Sequence, residues 1–143
     1  MTATHNFGTA PIRAASTADT FKGALYLASA TINASTTAYT VTGEVTGTNY
    51  SAGGVTVTNA TPPTSTNSSA TAGVAYWTPS ASLTYTSVTL TTAFDAVLIY
   101  NSTQSNKAVS VHTFGSQTIT AGTFTLTMPS NTTTTALLRL ATT

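Results

Sequence analysis

Cysteine is absent from this chain of 143 residues, which excludes disulfides and thiolate metal centres alike. Extracellular domains of this size often use disulfides, so the absence fits folding in a reducing cytoplasm. Charge is almost as scarce: Arg13, Lys22, Lys107 and Arg139 stand against Asp19, Glu44 and Asp95, 5% of the residues with a formal net charge of +1. A free monomeric surface usually carries roughly a quarter to a third of its residues as charges. Scattered cations make no patch that could neutralise phosphates, so no nucleic-acid partner is expected. No apolar run approaches the roughly 20 residues that span a bilayer. The stretch from Met1 to Arg13 lacks the apolar centre of a secretory signal, and no membrane partner is expected either. Sustained helical periodicity and internal repeats are also missing.

Threonine and serine fill the composition instead. Threonine is β-branched and favours strands, while its hydroxyl wets the exposed side of a pleat. A surface of this kind gives little repulsion between copies, and low net charge favours association. The most hydrophobic point is Ala93–Tyr100, followed by the polar Asn101–Asn106 and then Lys107–Gly115. Two apolar runs about a short Asn/Ser segment predict an antiparallel hairpin at the centre of the core. The first arm is nearly continuous, as in a strand covered on both faces. The second alternates, with Val109, Val111 and Thr113 facing one way and His112 the other.

Around this hairpin the pattern predicts further short strands: Phe21–Leu27, Tyr39–Val45 (Tyr39, Val41 and Val45 on one face), Val55–Thr58, Val74–Trp77, Leu83–Leu90, Gln117–Thr120, Phe124–Met128 and Ala136–Leu140. Gly47–Gly54 and Ala121-Gly122 are expected turns, since glycine tolerates positive φ. Residues 60–71, with Pro62-Pro63 and a Ser/Thr run, are an expected exposed loop. Eight to ten short strands punctuated by turns predict an all-β, single-domain antiparallel β-sandwich or jelly roll over residues 21–143. Residues 1–20 are an expected extended N-terminal arm, with Phe7, Ile12 and Arg13 as anchors.

Chemistry is thin. Asp19, Glu44, Asp95, His5 and His112 lie on different segments, and none recurs at metal-ligand spacing. No metal or cofactor is expected, and no catalytic residue is assigned. Asp95 reads as a strand-end cap or as a partner of Lys107 across the hairpin. Ser51 lacks the first glycine of a nucleophile elbow. The Asn-x-Ser/Thr triplets at Asn33, Asn49, Asn59, Asn67, Asn101 and Asn131 follow from the Ser/Thr content. The six tyrosines, Tyr26, Tyr39, Tyr50, Tyr76, Tyr85 and Tyr100, together with Trp77, read as core and interface residues in preference to a sugar-stacking platform.

Several short words resemble small virion proteins of tailed bacteriophages. Asp19-Thr20-Phe21-Lys22-Gly23-Ala24-Leu25-Tyr26 is similar to their D-T-h-K-x-A-L-Y opening. The segment from Thr42-Gly43-Glu44-Val45 to Tyr50-Ser51-Ala52-Gly53-Gly54 is similar to their E-V-x-G-x-x-Y-x-A-G-G turn. Tyr76-Trp77-Thr78 stands where the family has V-T-W, and Val97–Asn101 resembles its A-x-I-Y-N/D strand. His112–Gly115, Gly122–Leu126 and Leu138–Leu140 resemble its D-F-G, G-x-F-T-h and terminal-strand segments. The likeness spans about residues 19–141; the family is more acidic, and the loop at 60–71 is this chain's own.

The resemblance implies a virion protein assembled in the host cytoplasm and not an enzyme: a capsid decoration (cement) protein that binds the outer surface of the shell. Its expected partners are the major capsid protein and itself, as a homotrimer at three-fold positions. The arm would then reach between capsid subunits, a Tyr/Val face would be buried between copies, and the loop at 60–71 would point outward. The alternatives are a tail, neck-adaptor or fibre component, or a carbohydrate-binding module built on Trp77.

Overall fold

The computed structural model describes residues 18–59, 62–66 and 73–141. The described chain is all-β and contains no helix. Seven strands occur among the described residues: β1 (Phe21–Leu27), β2 (Val55–Thr56), β3 (Thr64–Ser65), β4 (Val74–Trp77), β5 (Leu83–Asn101), β6 (Lys107–Leu126) and β7 (Leu138–Ala141). They form two antiparallel sheets, ordered β2-β1-β5-β6 and β3-β4-β7. Two compact units alternate along the chain: Asp19–Val57 and Leu83–Leu126 build the first, around the four-stranded sheet, while Thr58–Ser82 and Thr127–Thr143 contribute to the second. The anchors Phe7, Ile12 and Arg13 lie outside the described residues. Asp19 and Thr20, the end of the expected arm, belong to the first unit: Asp19 is buried and accepts from the Asn101 amide at 2.7 Å.

The central hairpin forms as expected but is much longer. β5 has 19 residues and β6 has 20, because the segments predicted as Leu83–Leu90, Gln117–Thr120 and Phe124–Met128 join the two arms. The expected turn at Ala121-Gly122 is a bulge. From Tyr85 to Val88, β5 advances three residues while β6, from Phe124 to Gly122, advances two. From Val88 to Leu90 the mismatch reverses, with β6 taking three residues from Gly122 to Ile119. Ser87 (φ 53°) and Ala121 (φ 48°) absorb the extra residues in the left-handed region. Polar punctuation that looks like a hairpin end thus re-aims a continuing ladder, bending and twisting it.

The sheet of the first unit is covered on both faces along β5, where Phe94 and every residue from Ala96 to Asn101 are buried. Ala24, Tyr26, Ala96, Leu98 and Tyr100 form one cluster, with Ala30, Ile32, Tyr39, Ala108 and Val111 packed on it. Elsewhere along β5 and β6, Phe94 meets Phe124 edge-on at 5.1 Å between ring centres, and Phe114 and Tyr85 continue the aromatic row. Such contacts contribute roughly 0.5–1.5 kcal/mol each beyond area burial.

The strand expected at Tyr39–Val45 does not form. The backbone of the segment and its flank pairs with the sheet through isolated bridges, Ala38 to Lys107 and Tyr26 to Glu44, and not as a ladder. Gly43 takes φ 80°, which breaks the alternation, so Val41 is 68% exposed while Val45 is buried. In the second unit, Thr64–Ser65 from the expected loop is an edge strand on β4. Pro62 and Pro63 lie just outside it and are exposed, where proline costs no ladder bond.

Candidate functional site

The carboxylates and histidines do not converge. Asp95 lies inside β5 between Phe94 and Ala96, not at a strand end, and the register sets Lys107 opposite Asn101. The expected Asp95–Lys107 pair is therefore not made: the two residues are separated by the length of the upper hairpin. His112 sits opposite Val97, away from Val111 as expected, with its Nε2 2.9 Å from Ser110 Oγ. Burial lowers its pKa, so the imidazole is neutral at neutral pH. Ser51 is exposed in the turn before β2. Among the described residues no hydrogen bond joins Ser51, Asp95 and His112, and no group of three or more His, Asp or Glu is placed to hold a metal.

Glu44 is the group that does gather partners. It is 6% exposed, and both carboxylate oxygens are bonded. Oε1 accepts from the Tyr50 hydroxyl and from the Gly53 backbone N–H, each at 2.7 Å; Oε2 accepts from the Tyr39 hydroxyl at 2.7 Å. A buried carboxylate is tolerable only with its lone pairs satisfied in this way. A second ring of bonds ties these partners to the sheet. Tyr50 Oη accepts from Leu25 N–H at 2.9 Å, Tyr100 donates to Gly53 O at 3.0 Å and Tyr85 donates to Gly23 O at 2.8 Å. Tyr39 stacks on Tyr100 with ring centres 4.6 Å apart. The hub thereby pins the irregular segment 28–54 against β1 and β5. Its sequence signal is slight: one carboxylate between Gly43 and Val45, with Tyr39 and Tyr50 on either side.

Desolvation raises the pKa of Tyr26, Tyr39, Tyr50, Tyr85 and Tyr100, and the Glu44 charge adds to it in each; Tyr100 is pushed up to about 12. A folded-state pKa above the unfolded value means that stability is intact below pH 10 and is lost as pH rises through the folded values. Alkaline titration should therefore show the 295 nm tyrosinate absorbance of these five rings rising together with unfolding, well above pH 10. Separate, non-cooperative ionisation near pH 10 with the fold intact would contradict the hub.

Five of the six tyrosines expected at a subunit contact are consequently spent inside the protomer, with Tyr26, Tyr85 and Tyr100 buried, while Tyr76 in β4 is half-buried. Trp77 is also interior, 2% exposed, and its indole N–H donates to Asn59 Oδ1 at 2.8 Å. It offers no open platform for a sugar. Its fluorescence should resist acrylamide, with a quenching constant several-fold below that of free tryptophan.

Among the described residues, one surface able to bind is the edge of the four-stranded sheet. β6 is the outer strand, and none of its residues is fully buried. Lys107 and His112 are its only ionisable side chains. Long, uncharged edges are templates for pairing with another chain. Near its start a concave slot of about 630 Å³ opens between β6 and segment 32–36, lined by Ile32, Ala34, Val109, Val111, Ser110 and Thr113 among others. The wall is built by a tight turn: Thr36 N–H donates to Asn33 O, Asn33 N–H to Thr36 Oγ1, and Ser35 N–H to Asn33 Oδ1, at 2.8–3.0 Å.

No protein-family model matches the chain, and no curated protein or solved structure matches it either.

Proposed function

We propose that the protein is a structural component of a tailed-phage particle, a decoration protein that binds the assembled shell from outside and reinforces it. The observation that carries this reading is the β6 edge: 20 residues with no buried side chain, in a chain with only four cations and three carboxylates. Such an edge, on a charge-poor chain, suits permanent attachment within an assembled particle better than a free life in solution. The family resemblance over residues 19–141 supports the same reading. Reinforcement works by mass action, since a ligand that prefers the mature shell stabilises that state. With most of the tyrosines used internally, contact with the shell and with other copies falls to the Thr/Val surface of the sheet edges and to the arm carrying Phe7, Ile12 and Arg13.

The test is copy number per purified particle, measured by quantitative mass spectrometry against the major capsid protein. A ratio near one to one, or a fixed simple fraction of it, is the expected result. A few copies per hundred capsid subunits would instead place the protein at the tail or neck. Absence from particles would end both readings. Removing residues 1–17 should abolish binding to expanded shells and leave the urea unfolding midpoint of the β domain unchanged.

A further inference from the structure

We propose that the slot beside β6 is a strand-addition site that takes an extended, uncharged segment of a partner protein in which small apolar and hydroxyl side chains alternate. This deepens the decoration reading and rests on it for the identity of the partner. The edge already accepts a strand-like segment at its start. Tyr39 N–H donates to Asn106 O at 2.9 Å, Ala108 N–H donates to Thr37 O at 3.0 Å, and Ala38 bridges Lys107. At Thr36 the chain turns away, and among the described residues no strand continues that line past Ala108. Residues Val109–Thr113 span about 17 Å, the length of an ordinary short strand. A segment laid there continues a pairing that the protein itself begins.

The chemistry of the walls selects the occupant. Ile32, Ala34, Val109 and Val111 supply apolar surface, and Ser110 and Thr113 supply hydroxyls. No lining residue is charged. The ionisable side chains of β6 itself are exposed Lys107 at one end and His112, kept neutral by burial. A Lys or Glu in the occupant would lose water without gaining a partner, so the segment is uncharged. The slot is also stiff, because the Asn33–Thr36 turn is internally bonded and Ile32 packs on the Tyr26/Leu98 cluster. Little ordering is then needed on binding.

A second copy of this chain is a poorer occupant. β1 and β5 are internal strands, and β2, β3 and β7 have only two to four residues. β6 itself is irregular opposite Phe94–Ala96 and again at Val109, between its partners of Ile99 and Tyr100. Two copies would set two fixed irregular edges against each other, whereas a free extended segment can follow the single irregularity at Val109.

The test uses the uniformly 15N-labelled full chain and an end-capped octapeptide of alternating valine and threonine. Amide shifts should move only at residues 32–36 and 108–113. Binding should weaken at least tenfold when alternate peptide nitrogens are methylated, which removes ladder donors, and at least tenfold in Ala34→Lys. Ala34 is exposed, so the variant should keep the wild-type urea midpoint. The proposal is overturned by no shifts at millimolar peptide, by shifts elsewhere, or by affinity that neither change reduces. Concentration-dependent shifts at the same residues without peptide would assign the slot to a second copy, and overturn it too. Loading Ala34→Lys onto shells separates the two readings. Equal loading with wild type removes the slot and leaves decoration standing, whereas normal peptide binding by a protein absent from particles does the reverse.

Discussion

Glu44→Ala should cost about 4 kcal/mol of stability and lower the urea midpoint by about 2 M. The carboxylate accepts three hydrogen bonds of 2.7 Å, and bonds to a charged group contribute roughly 1.5–3 kcal/mol each. Alanine leaves the Gly53 N–H buried without an acceptor, while the Tyr39 and Tyr50 hydroxyls can turn towards water that enters the space. Their partial recovery is why the sum of three full bonds is not expected. The loss is a large fraction of a typical domain's 5–15 kcal/mol. Glu44→Gln keeps one oxygen for Tyr50 and Gly53 and offers Tyr39 an amide N–H in place of an acceptor, so about half the loss is expected. If Glu44→Ala unfolds within about 0.5 kcal/mol of wild type, Glu44 is not what holds segment 28–54 on the sheet.

The hub also marks where legibility in the sequence ends. β1, β4 and the upper hairpin are readable because each is a short run of β-branched and aromatic residues bounded by polar ones; Phe21–Leu27 and Val74–Trp77 emerge with the expected bounds. The continuity of β5 and β6 is not readable. Ala121-Gly122 carries the signature of a turn, and Ser87 passes as an ordinary strand residue; whether either ends a strand, continues it or bulges it depends on the partner's register. Glu44 presents the same difficulty in side-chain form. Tyr39, Tyr50 and Gly53 are near it in sequence, but only the bridge from Glu44 to Tyr26 and the pairing of β1 with β5 bring Tyr85 and Tyr100 alongside.

For the candidate slot, Val109 and Val111 are legible as one arm of a hairpin. That this arm is an edge follows from strand order, which no local pattern encodes. Trp77 illustrates the same limit from the other side: the pattern favours a core over a platform without excluding the platform, and its bond to Asn59 and its burial decide.

Gly54→Ala should be the most damaging glycine substitution in the described chain, while Gly115→Ala should be harmless. Gly54 has φ 71° and lies at the end of the turn in which its N–H donates to Ser51 O at 2.9 Å. A methyl group there would stand 1.7 Å from the Gly23 carbonyl oxygen and 2.5 Å from its carbon. Both are backbone atoms of β1, a strand held by β2 and β5, so neither can swing aside as a side chain would. The left-handed backbone costs a non-glycine residue about 1–2 kcal/mol, and forcing β1 away from Gly54 adds about 1–3 kcal/mol. Displacement of Gly53 would also loosen its bonds to Glu44 and Tyr100, so a total near 4 kcal/mol is expected. Gly115 is exposed on β6, and an added Cβ there meets nothing within 4 Å. Alanine at that point removes unfolded-state entropy and should leave stability unchanged or raise it by about 0.5 kcal/mol. Urea midpoints of the two variants measured side by side decide the matter. Equal, small shifts would mean that the backbone can retreat from Gly54, and that the turn before β2 is far less tightly seated on β1 than its geometry requires.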